Sequence, residues 1–420
     1  MPDCGSQVTL CDVPIRYDTY AGCGHGCTYC FTSRKVDIKK IKPGESPDAL
    51  RRWIEGKRSK STAWCDWEIP LHWGGMSDPF QPVEKIEKRS LAALEIFAET
   101  GYPFIVSTKN AMVAEEPYLS LIKRCNCVVQ FSICSPQFDK IERGATPYEG
   151  RVRAAGEIAK YKRVNIRIQP YLPAIFRDVL NALPRYSEIG VHGVILEAMK
   201  FQQPKVPGLI ASGKDFIYPL DTILPQFDAI KRSAHRNGLK FYCGENRLRS
   251  ISDELCCCGI EGMGWKAHES NLNHYLFDPA GFEYTDKQKE PGTAAVFCAA
   301  HQDTISNRKY NALSFAEAMN EAIRNPYPFV SHRGGRIRSK KKVNCVRTFA
   351  RPLRNPARRA AMLTDTSAQT GWRDTTLVKA SGPSQRRRHT GNYGRFSRYQ
   401  PSRNYSPLSR YKGESRQFTG

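Results

Sequence analysis

Residues 20–31 read Tyr-Ala-Gly-Cys-Gly-His-Gly-Cys-Thr-Tyr-Cys-Phe and put Cys23, Cys27 and Cys30 into one short Cys-x3-Cys-x2-Cys loop. Three thiolates this close can hold three corners of one iron–sulfur cube, whereas a [4Fe–4S] cluster ordinarily takes four cysteines. The fourth iron is then open to a ligand from outside the protein. Gly22, Gly24 and Gly26 let the backbone fold closely around so bulky a group. The competing reading is structural zinc, with His25 completing a Cys3His set. Zinc knuckles, however, split their ligands into two pairs on separate loops. Here all three thiols share one loop, and the chain contains no second Cys-x2-Cys.

Working outward, Val13–Asp18 reads as a strand that leads straight into the loop. From Trp67 to Tyr242, short apolar runs alternate with amphipathic stretches. Strands are expected at Glu68–Trp73, Phe104–Ser107, Cys127–Ile133, Asn165–Tyr171, Gly193–Leu196 and Leu239–Cys243. Helices are expected from Pro82 to Gly101 and over Glu115–Arg124, Pro147–Lys162, Arg177–Ser187 and Pro219–Asn237. Such alternation predicts a parallel sheet with helical crossovers. In these sheets chemistry sits on loops at the carboxyl ends of strands, where the cysteine loop falls. Ser314 and Glu317 form a capping-box signature for a last helix over Ser314–Asn325.

Further motifs follow in order. Gly74-Gly75-Met76-Ser77-Asp78-Pro79 lies after the second strand, Ser107-Thr108-Lys109-Asn110 after the third, and Phe131-Ser132-Ile133-Cys134-Ser135 at the end of the fourth. Ile141-Glu142-Arg143-Gly144 comes next. If the fourth strand runs that far, alternation puts Ser132 and Cys134 on one face. Each motif alone also has a plain structural reading: a glycine turn, a solvated lysine, a locally satisfied hydroxyl, a surface salt bridge or a core thiol.

Together with the cysteine loop and its Tyr29, this succession resembles the radical S-adenosylmethionine (SAM) superfamily, and within it the group related to spore photoproduct lyase, often labelled DNA repair photolyases. The similarity covers roughly residues 13–260. It implies a partial (β/α)6 TIM-like barrel and a [4Fe–4S] cluster on Cys23, Cys27 and Cys30. It also implies SAM bound through Tyr29, Gly74, Gly75, Ser77, Lys109, Ser132 and Arg143. The implied activity is that of a lyase-like radical SAM enzyme, fed by a flavodoxin- or ferredoxin-like electron donor. In spore photoproduct lyase a hydrogen-returning cysteine precedes the Ser-Asp of the second motif. Here Met76 stands there, and a thioether has no S–H to give. Cys134 is the stand-in for that catalytic thiol.

A second sulfur group, Cys243 and Cys256-Cys257-Cys258, reads as structural cysteine, as a metal site or as a reactive thiol. Fifteen cysteines without a leader segment argue for reduced thiols and a cytoplasmic protein. No apolar run is long enough to span a bilayer, so no membrane partner is expected.

The net charge of +23 is uneven: residues 331–420 hold 22 Lys and Arg against 3 Asp and Glu, and residues 1–330 hold 42 against 38. Three parts are expected: a radical SAM core over 1–285, a helical extension over 286–330, and a disordered basic tail over 331–420. The tail interleaves arginine with Tyr393, Phe396, Tyr399, Tyr405 and Tyr411, a composition that suits phosphates and bases of DNA or RNA. The alternative is a nucleic-acid-binding protein whose cysteines hold structural zinc.

Overall fold

Strand-forming runs of β-branched and aromatic residues build the core sheet. The computed structural model describes residues 1–34, 37–212, 215–297 and 312–324. The main sheet comprises β1 (Asp3–Cys4), β2 (Ile15–Tyr17), β3 (Leu71–Trp73), β4 (Phe104–Thr108), β5 (Cys127–Ser132), β6 (Arg163–Tyr171), β7 (Gly193–Ala198) and β8 (Lys240–Cys243), and they neighbour one another in that order. All seven strands anticipated from sequence are present, and consecutive pairs from β2 to β8 are parallel. β1 adds an antiparallel edge beside β2. The edge strands β1 and β8 do not pair with each other, so the architecture is an open, mostly parallel α/β sheet.

Side-chain alternation divides the sheet into two faces. Val106, Val129, Phe131, Ile166, Ile168 and Leu196 join the main core. Helices at Pro47–Ile54, Arg89–Thr100, Tyr118–Arg124, Tyr148–Ala159, Phe176–Glu188 and Leu220–Arg236 pack there through residues such as Trp53, Phe97, Ile122, Val152, Leu183 and Phe227. Trp73 anchors this layer, with ring centroids 5.9 Å from Tyr17, 5.6 Å from Phe97 and 5.8 Å from Phe104. Such aromatic pairs add about 0.5–1.5 kcal/mol each beyond burial.

The other face starts apolar and turns polar along the strands. Val13, Ile105 and Val128 pack with Cys258 and Ile260 near the strand starts. Farther along, His72 Nε2 lies 3.0 Å from Ser107 Oγ, and Ser107 donates to Gln130 Oε1 at 3.1 Å. Arg167 donates to Gln130 and Gln169 and pairs with Glu197 at 3.6 Å. Gln169 and Glu197 are therefore bound into this array.

The helix expected from Pro82 to Gly101 is broken. Glu84–Glu87 ends at Lys88, whose φ is 49°, and Arg89–Thr100 begins beyond it. The Glu84 carboxylate accepts from Ser90 N and Leu91 N at 2.9 Å each, which satisfies the start of the second helix. The last helix spans Phe315–Arg324, and Ser314 N donates to Glu317 Oε2 at 2.8 Å in the anticipated capping box. Among the described residues no helix is long and apolar enough to cross a membrane. The expected basic tail and its arginine–tyrosine stretch lie outside the described residues.

Candidate active site

The cysteine loop leaves the carboxyl end of β2 and is clamped from three sides. Cys23 N donates to Ile38 O at 2.8 Å. Gln81 reaches back to the loop: its Oε1 accepts from Gly24 N at 2.8 Å, and its Nε2 donates to Gly22 O at 3.1 Å. On the third side Thr28 N donates to Ile141 O at 3.1 Å and Gly144 N to His25 O at 2.8 Å. Gly144 is a necessity of contact, because a Cβ there would overlap the Gly24 carbonyl oxygen.

His25 is buried under the loop as its internal strut. Its Nδ1 is 2.8 Å from Gly144 O and its Nε2 is 3.0 Å from Asp78 Oδ2. Asp78 also accepts from Thr108 Oγ1 at 2.9 Å, Lys109 N at 2.6 Å and Phe80 N at 2.9 Å. Burial alone would raise the Asp78 carboxyl, but His25 and these donors bring it below its ordinary value. One ring nitrogen of His25 is thus in hydrogen-bond contact with the Gly144 carbonyl, and the other stands at ion-pair distance from Asp78.

Cys23, Cys27 and Cys30 are half-buried. Burial pushes the Cys23 thiol up to about 12 and the Cys27 thiol up to about 11, although Lys109 draws the latter back. Metal binding at these two positions must therefore displace protons. Among the described residues no three His, Cys, Asp or Glu side chains gather as a ready single-ion site.

A buried ionic network stands beside Cys27. Tyr29 donates its hydroxyl to Glu142, and its ring meets Phe138 at 5.6 Å and Lys109 Nζ at 5.6 Å. Glu142 pairs with Lys109 Nζ at 3.0 Å and with Arg151 Nη1 at 2.7 Å. Arg151 also donates to Ser132 O at 2.7 Å and pairs with Asp139 at 3.1 Å. Burial opposes the charge on Glu142, and Lys109 and Arg151 overcome it, leaving the carboxyl below its ordinary range.

The remaining candidates sit as follows. Gly74 turns the chain at the end of β3 with φ 87°, and a Cβ there would come 2.5 Å from Ser107 O. Gly75 lies against Arg16 Cδ, 3.1 Å from where its own Cβ would be. Ser77 is buried and donates to Tyr20 O at 2.6 Å, so its hydroxyl fixes the entry to the cysteine loop. Ser132 ends β5, half-buried. Cys134 lies beyond the end of that strand, in the main core, so the two do not share a strand face. Burial pushes the Cys134 thiol up to about 12. Arg143 is exposed. Its neighbour Glu142 and the helical Arg151 are the buried charges, and sequence reasoning passed over both.

No family model and no curated protein matches the chain. Solved structures similar to it include a spore photoproduct lyase double mutant with bound AdoMet and dinucleoside spore photoproduct, at 17% identity and TM-score 0.43, covering 55% of this chain and 76% of that one. A spore photoproduct lyase single mutant with the dinucleoside is similar at 17% identity and TM-score 0.43, with 55% and 77% covered. SuiB of Streptococcus suis bound to S-adenosylmethionine is similar at 10% identity and TM-score 0.38, with 55% and 51% covered.

Proposed function

We propose that Cys23, Cys27 and Cys30 hold a [4Fe–4S] cluster and that the chain is a radical SAM enzyme. The observation that carries this reading is the loop itself: three half-buried thiols at a strand's carboxyl end, with the nearest imidazole tied up beneath them. A cluster held there and reduced by the electron donor would supply one-electron cleavage of a C–S bond of SAM, the chemistry by which hydrogen would be abstracted from a substrate.

The chain's own residues then bind and orient. Gly74 and Gly75 offer backbone at a strand end and carry no side chains of their own. Lys109 brings a buried ammonium that can share its donors between Glu142 and the SAM carboxylate. Tyr29, held by Glu142, walls the loop, and Ser77 keeps the second motif against it. Ser132 and the exposed Arg143 are the outer contacts, and Cys134 is the candidate hydrogen donor. The core of the enzyme is residues 1–285, with an extension to 330 and a tail over 331–420. The favoured substrate class is nucleic acid, drawn to the basic tail. The setting is cytoplasmic, with a flavodoxin- or ferredoxin-like donor.

The zinc alternative needs a fourth ligand, and His25 could serve only by giving up Asp78 or Gly144. Metal analysis separates the readings. Anaerobic reconstitution with iron and sulfide is expected to give a brown protein with about four irons per chain. A colourless protein with one tightly held zinc would sink the proposal.

A further inference from the structure

The face of the sheet turned away from the main core carries a chain of hydrogen bonds that ends on one arginine. Ser107 on β4 donates to Gln130 Oε1 on β5 at 3.1 Å, so the 3.0 Å contact between His72 Nε2 and Ser107 Oγ needs its proton on the imidazole. Burial and the nearby Arg167 and Arg16 cations push His72 down to about 3, which keeps the ring neutral. Gln130 Nε2 donates to Cys258 O at 3.1 Å, and this fixes the amide with its oxygen toward Ser107 and Arg167. Arg167 Nη1 donates to that oxygen at 3.2 Å, and Arg167 Nε donates to Gln169 Oε1. In the register of β5 and β6, Arg167 stands level with Ser132.

These bonds use two of the five guanidinium donors. Nη2 makes no hydrogen bond among the described residues, and its ion-pair partner, Glu197 Oε2, stands at 3.6 Å, beyond hydrogen-bond reach. Lys200 holds the other oxygen of that carboxylate at 3.0 Å, so one carboxylate is divided between two cations. Gln169 has its oxygen turned to Arg167, which leaves its Nε2 as a further donor. The Arg167 and Glu197 side chains each keep 16% exposure and Lys200 keeps 25%, so solvent reaches the group. On β2, level with His72, Arg16 adds another cation, its Nε buried without a hydrogen-bond partner among the described residues. A guanidinium locked along one edge, with unused donors on the other, suits an acceptor-only anion with two oxygens.

We propose that Arg167 binds a phosphodiester oxyanion of the substrate, with Gln169 Nε2 as the second donor and Glu197 setting the strength of the contact. This deepens the nucleic-acid reading above and rests on it. A phosphodiester carries one negative charge on two acceptor oxygens and has no proton to give, which matches the unused donors of Arg167. Glu197 repels that anion, so removing its charge strengthens the contact. The basic segment over 331–420 draws nucleic acid to the protein, and Arg167 places one phosphate of it on the sheet. A contact of this kind, made away from the reacting atoms, orients a substrate for reaction.

The test uses the full chain, reconstituted anaerobically with iron and sulfide, with SAM present and no reductant. Calorimetric titration compares the dinucleotide TpT, whose only charge is its phosphodiester, with its neutral methylphosphonate analogue. The native chain is expected to bind TpT more tightly than the analogue. Arg167→Gln is expected to weaken TpT by about tenfold, the worth of one charge-assisted hydrogen bond, and to leave the analogue unchanged. Glu197→Gln is expected to tighten TpT, a change of sign that misfolding cannot produce, and it decides the matter if Arg167→Gln does not fold. The proposal is overturned if the native chain does not bind TpT, if Arg167→Gln binds it as the native chain does, or if both ligands weaken equally. Unchanged or weaker TpT binding in Glu197→Gln, or Arg167-dependent binding of an acidic peptide in place of TpT, also overturns it. Substrate-free SAM cleavage by the native chain is scored separately: its absence beside Arg167-dependent TpT binding would sink the enzyme reading and support this site.

Discussion

Glu142 and Asp78 are carboxylates held charged away from water, and each fixes one side of the cysteine loop. Replacing Glu142 with Gln leaves Lys109 and Arg151 buried with weakened partners, a change that typically costs about 3–5 kcal/mol. The pH dependence has a definite sign. The folded-state value of Glu142 is depressed, so its contribution is fully present above its unfolded value of about 4.3 and is lost as pH falls through the folded value. Urea unfolding should show the gap between the native chain and Glu142→Gln at neutral pH and its closure in acid; a gap independent of pH would contradict this. Sequence made Tyr29 and Lys109 legible because they stand in motifs. Of the adjacent Glu142 and Arg143 it took Arg143 and passed over Glu142, since a loop has no period to say which neighbour is buried. Arg151 was hidden as one more cation on a helix, although it is buried against Ser132 O.

The cysteine loop is an element defined by its clamps, and Gly144 is the tightest of them. In Gly144→Ala the added methyl meets the Gly24 backbone, which cannot yield as a side chain would. Overpacking of this kind costs about 1–3 kcal/mol. The expected result is a chain that keeps its sheet by circular dichroism but retains iron poorly after desalting; full iron retention would show that the clamp does not position the thiols. At this scale the parallel strands were legible, because four or more residues of alternating or continuous apolar character carry a period. The two-residue β1 is too short to carry one. The break at Lys88 was also illegible, because a carboxylate six and seven residues away in contact terms, Glu84 on Ser90 and Leu91, replaces the usual cap. The open sheet likewise follows from edges that no local pattern reveals.

Across the whole molecule, charge is divided between a nearly balanced body and a strongly basic segment over 331–420. On the proposed reading the two have separable duties. A chain ending at residue 330 should lose most of its affinity for single-stranded nucleic acid, and the salt dependence of binding should flatten, as expected when phosphate contacts are removed. Its rate of SAM cleavage without substrate should be unchanged; a truncated chain that binds nucleic acid as before would move that role to the body. The central claim concerns the loop at Cys23, Cys27 and Cys30. Its most direct test is chromatographic detection of 5′-deoxyadenosine after the anaerobically reconstituted full chain is mixed with SAM and dithionite. The product is predicted to form with the native chain and to vanish in Cys27→Ala, whereas its absence from an iron-loaded native chain, or its persistence in Cys27→Ala, would contradict the claim.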